Sequence, residues 1–155
     1  MYKIEKASRS ELPALIELGL KTERELNSFI DEKYWKKFYT KERMQFFNST
    51  GYIAKSGGEI YGFISLSDSG TIYGLFVHPE HTNRGVGRAL IEEALKHTDE
   101  LECKIYMKNR AALRFATAMR FMIVDAQLDT DTEQIQYIVK YSKHTNDFDD
   151  VKIRR

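Results

Sequence analysis

Residues 75–96, LFVHPEHTNRGVGRALIEEALK, predict a strand, a loop and a helix. The apolar residues 75–77 end at Pro79, which cannot continue the hydrogen-bond ladder of a strand. After a polar loop, Gly85 and Gly87 open a segment whose apolar residues recur near the helical period. Because the first N–H groups of a helix lack helical partners and the dipole is positive there, this glycine-bearing turn predicts a phosphate site.

The composition is that of one globular domain. The chain has 155 residues, of which 42% are hydrophobic and 30% are charged. Lysine and arginine total 24 against 23 acidic residues, which argues against a dedicated nucleic-acid binder. No apolar run approaches the roughly 18 residues of a membrane span, and no secretory signal is visible. We therefore expect a cytoplasmic protein with no nucleic-acid and no membrane partner.

The segments around residues 75–96 predict a mixed α/β domain. Hydrophobic periodicity and turn residues predict seven strands, at 2–7, 52–55, 59–67, 71–77, 102–107, 121–128 and 133–141. They also predict about four helices, at 10–22, 32–39, 85–96 and 110–119, and a further short one at 41–48.

The order of these elements is typical of an α+β (mixed α/β) domain whose central seven-stranded sheet is largely antiparallel. Strands 71–77 and 102–107 belong to a β-α-β unit, so they should be parallel and joined right-handed. Gly74 inside the first of them predicts a bulge or a close backbone approach. We assign residues 1–141 to the domain and residues 142–155 to a polar tail.

The turn around Gly85 and Gly87 differs from two common phosphate-binding turns. A P-loop needs Lys-Ser/Thr after its last glycine, whereas Gly87 is followed by Arg-Ala. A dinucleotide-binding turn needs a third glycine or alanine and follows its strand directly. Here Leu90 occupies the third position, and residues 78–84 separate the strand from Gly85. The remaining alternatives are another class of phosphate turn and two glycines that only shape a loop.

The chain resembles the GNAT acyltransferase superfamily. The family signature is a strand ending near Val-x-Pro, then Gln/Arg-x-x-Gly-x-Gly/Ala and Ala-Leu on a helix. It is matched by residues 77–79 (VHP), 82–87 (TNRGVG) and 89–90 (AL). A second signature, Asn followed by a helix and Gly-Phe, is matched by residues 109–121, NRAALRFATAMRF. The start of the chain is also similar to a subgroup of small bacterial acetyltransferases, some of which modify protein lysines.

The resemblance implies acetyl-CoA as the acetyl donor. Backbone N–H groups of residues 83–88 would hold the pyrophosphate. The backbone of residues 75–77 would pair with the pantetheine arm, and one N–H would bind the thioester oxygen as it gains charge. Strands 71–77 and 102–107 must splay apart to admit the pantetheine arm. Asn109 would either contact the cofactor or only cap a helix. The implied cofactor-binding residues are Leu75, Phe76, Val77, Asn83, Arg84, Gly85, Val86, Gly87, Arg88 and Asn109.

Two positions depart from the family pattern. Ala116 stands where the family usually has a tyrosine that protonates the leaving thiolate, a contribution typically worth about 10²–10⁴-fold. Arg120 replaces the glycine before Phe121, so we expect that turn to differ.

The candidate catalytic residues are tyrosines. Tyr73 should share a strand face with Leu75 and Val77 by the period of two, and Tyr106 lies on the other splayed strand. Cys103, the single cysteine, has no evident partner base, so we expect a buried strand residue and no zinc cluster or other metal site. Acidic residues that could attract an amine are Glu23, Glu25 and Asp31.

We therefore expect an acetyl-CoA-dependent N-acetyltransferase in which a primary amine attacks the thioester directly, through a tetrahedral intermediate. The acceptor stays open between a small-molecule amine, a protein lysine and a protein N-terminus. A monomer and a homodimer are both compatible with the resemblance. The alternative, favoured by Ala116, is an acetyl-CoA-binding regulatory module with little turnover.

Overall fold

A computed structural model of the chain describes residues 1–37 and 49–143. The strands are β1 Lys3–Lys6, β2 Thr50–Ser56, β3 Glu59–Leu66, β4 Ile72–Val77, β5 Glu100–Tyr106, β6 Met122–Asp129 and β7 Gln134–Ser142. The helices are α1 Leu12–Leu26, α2 over residues 32–37, α3 Val86–Ala94 and α4 Arg110–Ala118. None of these helices is long and apolar enough to cross a membrane. The helix predicted at 41–48 lies outside the described residues.

The strands form two antiparallel sheets, in the orders β1-β2-β3-β4 and β5-β7-β6. The sheets meet at one parallel bridge between Thr71 and Glu102, beside a hydrogen bond from the Glu102 N–H to the Gly70 C=O at 2.9 Å. In the described part of the chain, no other bridge joins β4 to β5. The predicted mixed α/β fold with a splayed parallel pair is therefore confirmed, and the splay divides the seven strands into two sheets.

A register shift marks β4 close to the junction of the sheets. Ser65 on β3 pairs with Gly74, but the next residue, Leu66, pairs with Ile72. Tyr73 is therefore an extra residue in β4, which is the arrangement of a β-bulge. The bulge predicted near Gly74 is confirmed.

The bulge changes which way Tyr73 faces. Leu75 and Val77 pack against the core beneath α3 and α4, whereas Tyr73 packs with Phe76 against the core beneath α1. The prediction that Tyr73 shares a face with Leu75 and Val77 is wrong, because the extra residue shifts the alternation of side chains by one position.

The two faces of the sheets carry separate cores. Residues at the centre of the first, beneath α3 and α4, are Val86, Leu90, Ile91 and Leu101, each at most 1% exposed. Residues at the centre of the second, beneath α1 and α2, are Leu15, Trp35, Ile53 and Phe63, each at most 2% exposed. The splayed strands therefore lie between helices on both faces.

The turn after α4 keeps its glycine-like shape although Arg120 replaces the glycine. Arg120 has φ of 70°, and the Phe121 N–H donates to the Ala116 C=O at 2.9 Å. This is the closing geometry that helices commonly adopt after their last turn. The expectation of a different turn is wrong, because the hydrogen bonds and the burial of Phe121 hold Arg120 in the left-handed region.

We expect Leu90→Ala to lower the free energy of unfolding by about 2–5 kcal/mol, because truncating this fully buried side chain leaves a cavity under α3. Glu92→Ala, on the exposed side of α3, is the matched control and should change that free energy by less than about 0.5 kcal/mol. Chemical denaturation measures both values. Equal losses would contradict the assignment of this helix face to the core.

Candidate active site

The turn before α3 has the backbone shape of an anion site. Gly85 is the N-cap residue with φ of 79°, and Asn83 also has a positive φ of 64°. The first hydrogen bond of the helix runs from the Ala89 N–H to the Gly85 C=O at 2.9 Å. The N–H groups of residues 86–88 precede it and point out of the helix end, so they can bind an anion.

Arg84 and Arg88 stand on either side of this turn. Both side chains are exposed, and neither forms an ion pair within the described residues. The two guanidinium groups therefore add unpaired positive charge to the helix N-terminus.

The three predicted cofactor segments meet around Gly87. A Cβ atom on Gly87 would lie 3.0 Å from two ring carbons of Phe115 on α4 and 3.7 Å from Val77 Cγ2 on β4. Glycine is needed here because the Phe115 ring packs directly on the first turn of α3. Asn109 caps α4, since its Oδ1 accepts the Ala112 N–H at 3.2 Å. Its contact with the cofactor stays a prediction.

A histidine that sequence reasoning missed holds the loop between β4 and α3 on the sheet. The His81 ring is 6% exposed, stacks on Tyr61 at 3.6 Å, and places Nε2 2.9 Å from Glu59 Oε1. His78 Nδ1 accepts the Glu80 N–H at 3.2 Å. His78, Glu80 and His81 also bring possible ligand atoms within 4.8 Å of one another. The bonds of His78 and His81 to Glu80 and Glu59 therefore hold this loop in place.

One edge of β4 is paired and the other faces the splay. Residues 75–77 pair with β3, where their partners are Ile64, Phe63 and Gly62. On the β5 side, the Thr71–Glu102 bridge is the single β-bridge that the described residues contain. An extended ligand with amide groups can therefore add to this edge as a strand.

The two predicted catalytic tyrosines lie in the same core, beneath α1 and α2. The Tyr106 hydroxyl donates to Asp129 Oδ2 at 2.7 Å and lies 3.4 Å from the Tyr34 hydroxyl. Burial, followed by the bonds to Asp129 and Tyr34, raises the pKa of Tyr106. Tyr106 therefore keeps its proton and directs it at Asp129, which does not suit a general base. A catalytic role for Tyr73 stays a prediction.

Ala116 belongs to the core rather than to an open surface. It is 6% exposed and packs with Met119 and Phe121. Alanine has no proton to donate, and the close packing leaves little room for a larger side chain. The acid that the family usually places here is therefore missing from this position.

An acidic residue of α1 has an unusual environment. The Asn27 Nδ2 donates to Glu23 Oε2 at 2.7 Å. Burial raises the pKa of Glu23 to about 7, although the bond from Asn27 acts in the opposite direction. Sequence reasoning named Glu23 but missed Asn27, whose signal is the i,i+4 spacing on one helix face.

The Glu23 carboxylate also acts on β5. Burial, followed by the charges of Glu23 and Glu102, raises the pKa of the Cys103 thiol to about 12. Cys103 packs partly buried against the core beneath α3 and α4, so it is a protonated strand residue and not an activated nucleophile.

Comparison with known proteins agrees with this geometry. Residues 14–121 match the profile of the Acetyltransferase (GNAT) family. The peptidyl-lysine N-acetyltransferase YiaC of Escherichia coli is 30% identical over 139 residues, which cover 89% of this chain and 95% of YiaC. The spermidine N(1)-acetyltransferase of Thermoplasma acidophilum is 26% identical over 133 residues, 74% of this chain and 83% of that protein.

A solved structure has the same fold. The PaiA N-acetyltransferase of Thermoplasma acidophilum, crystallised in complex with coenzyme A, matches with a TM-score of 0.75 at 18% identity. The match covers 92% of this chain and 99% of PaiA. With the splayed strands and the glycine turn, these similarities show that the chain belongs to the GNAT acetyltransferase family.

Proposed function

We propose that the protein is an acetyl-CoA-dependent N-acetyltransferase that acts on a primary amine. The observation that carries the proposal is the unpaired edge of β4, which the loop of residues 78–84 joins to the left-handed Gly85 turn. An amide-bearing arm and a diphosphate are the two parts of CoA that these features fit. The TM-score of 0.75 to a CoA-bound relative supports the same ligand.

Backbone groups would hold the donor. The N–H groups of residues 83–88, with Arg84 and Arg88 beside them, would bind the diphosphate. The β5-facing edge of residues 75–77 would pair with the pantetheine amides, and one of its N–H groups would stabilise the thioester oxygen as charge develops. The acceptor nitrogen would attack the carbonyl carbon directly, and the C–S bond would break as the amide forms.

The acceptor class follows from charge and from the relatives. YiaC is named for peptidyl-lysine and the Thermoplasma acidophilum relative for spermidine, and both acceptors present primary amines. Residues 129–133, which join β6 to β7, have the sequence DTDTE and lie beside Tyr106 through Asp129. This acidic turn at the end of β5 would attract a cationic acceptor, either a protein lysine or a small polyamine.

Ala116 is the specific observation that favours a second candidate. Without an acid at this position the protein could bind acetyl-CoA and regulate a partner with little turnover. We favour the enzyme, because a CoA thiolate leaves adequately without full protonation and the acidic turn would serve no purpose in a pure cofactor sensor. The oligomeric state and the cytoplasmic location stay predictions.

The enzyme and the regulatory module differ in turnover. We expect lysine peptides or polyamines to increase thiol release from acetyl-CoA by on the order of 10²-fold over the rate without amine, because the site orients both reactants. A thiol-reactive dye measures the release, and calorimetry measures CoA binding separately. Tight CoA binding without amine-dependent release would favour the regulatory module, and absence of CoA binding would contradict both.

The glycine turn is tested by a pair of matched variants. Gly85→Val should weaken CoA binding by about tenfold or more, or roughly 1.4 kcal/mol, because valine resists the left-handed conformation that aims the N–H groups. Gly57→Val introduces valine at a comparable φ of +56°, also with nothing within 4 Å, in the distant β2–β3 hairpin. Calorimetry should show wild-type affinity for this control. Equal effects of the two variants would indicate general destabilisation instead.

A further inference from the structure

The last turn of α1 carries a polar pair in which Asn27 is buried and Glu23 is partly buried. Asn27 is 2% exposed, and its Nδ2 donates to Glu23 Oε2 at 2.7 Å. The Asn27 backbone N–H also donates to the Glu23 C=O, at 2.8 Å. Two bonds therefore fix the amide against the carboxylate, so both side chains have defined positions before any ligand binds.

The pair has acceptor atoms left over and no donor for them. Asn27 Oδ1 is buried without a hydrogen-bond partner among the described residues. Glu23 Oε1 likewise accepts no hydrogen bond from the described residues. A buried amide oxygen without a donor is rare in native proteins and indicates a missing partner. An ammonium group, with three N–H donors and a positive charge, matches two free acceptors of which one is a carboxylate.

The position of the pair relates it to the splay. α1 packs against β4, whose outer edge faces the gap. The Glu23 charge also acts on Cys103, in β5 on the far side of that gap. The helix that carries Glu23 therefore packs on one splayed strand, and the charge of Glu23 acts on a residue of the other.

We propose that Glu23 and Asn27 bind the ammonium group of the acceptor, and that Glu23 accepts the proton which this nitrogen must lose before it attacks. The inference rests on the proposed function and assigns its base. Asn27 is a positioning residue, since its amide orients Glu23 and its Oδ1 accepts a second N–H of the acceptor.

The ammonium passes one proton to the Glu23 carboxylate, and the free amine pair forms the C–N bond. The C–S bond then breaks, and its electron pair leaves on sulfur. The nitrogen loses a second proton as the amide forms, which balances the proton that the thiolate gains. Glu23 returns its own proton to water, so the products are the amide, CoA and one proton.

The pKa of Glu23, about 7, suits this role. A base that titrates near the working pH accepts a proton more readily than an ordinary carboxylate and is still ionised above neutrality.

The other titratable groups near Glu23 have fixed states or partners. Cys103 on β5 stays a neutral thiol, since its pKa is about 12. Tyr73 is the titratable side chain of β4, and the neighbouring Arg24 pairs with Glu32 at 3.3 Å. Glu11 lies in the short 3-10 turn at the opposite end of α1.

The test is the pH dependence of kcat/KM with a saturating acetyl donor and a lysine peptide or polyamine. The wild type should lose about tenfold per pH unit below pH 7, because protonated Glu23 cannot accept a proton. Glu23→Gln should lower kcat/KM by about 10²–10⁴-fold and abolish the pH dependence near 7. Asn27→Leu should raise the KM of the acceptor and move the pH dependence to higher pH, because the bond from Asn27 lowers the pKa of Glu23. Glu17→Gln, at an exposed position on the same helix, should match the wild type.

Two further readouts separate this role from a structural one. CoA affinity by calorimetry should be unchanged in Glu23→Gln. Since the folded-state pKa of Glu23 lies above its ordinary value of 4.5, ionisation destabilises the fold as pH rises from about 4.5 to about 7. Glu23→Gln should therefore melt higher than the wild type at pH 8, and this difference should disappear below pH 4.5.

A Glu23→Gln variant that keeps the pH dependence and a near-wild-type rate overturns the inference and leaves the proposed function intact. A lower melting temperature than wild type at pH 8 overturns it as well, because Glu23 would then be a stabilising ion. If the wild type acetylates none of the amines, the proposed function and the inference both fail.

Discussion

The candidate site depends on one backbone contact between the two sheets, which is the parallel bridge between Thr71 and Glu102. The Glu102 N–H donates to the Gly70 C=O. Only a glycine fits at position 70, because φ is +95° at this residue and a Cβ would clash with the Glu100 carbonyl. Beyond this point the described strands β4 and β5 do not pair. Unpaired backbone groups are costly to bury without partners. The gap therefore favours a ligand that supplies its own amides.

Donor binding and acceptor chemistry depend on different parts of the molecule. In the proposed function, the donor would be held mainly by backbone groups, at the β4 edge and at the turn around Gly85. The acceptor side of the proposal would instead depend on side chains of α1, β5 and the β6–β7 turn. Because Ala116 supplies no acid, we expect the rate to depend more heavily on how the acceptor nitrogen loses its proton. The Glu23–Asn27 pair is placed for that step.

Much of the fold and of the shape of the glycine turn could be predicted because their signals are local. The Val-x-Pro strand end, the glycine turn and the capping Asn109 each depend on a few neighbouring residues, and the structure has them where expected. The direction and the contacts of single side chains could not be predicted in this way. The bulge moved Tyr73 to the other face, and the contact of His81 with Glu59 spans 22 residues.

The sequence by itself determined the order of elements, the anion-binding turn and the family, because periodicity, glycines and caps act over a few residues. Tertiary structure decided which carboxylate has the raised pKa that the proposed base needs. Glu23 has a raised pKa because folding desolvates it, against the opposite effect of the bond from Asn27, and its charge acts on Cys103, which lies 80 residues further along the chain. Desolvation and charge coupling depend on distance in space, and no spacing along the chain encodes that distance.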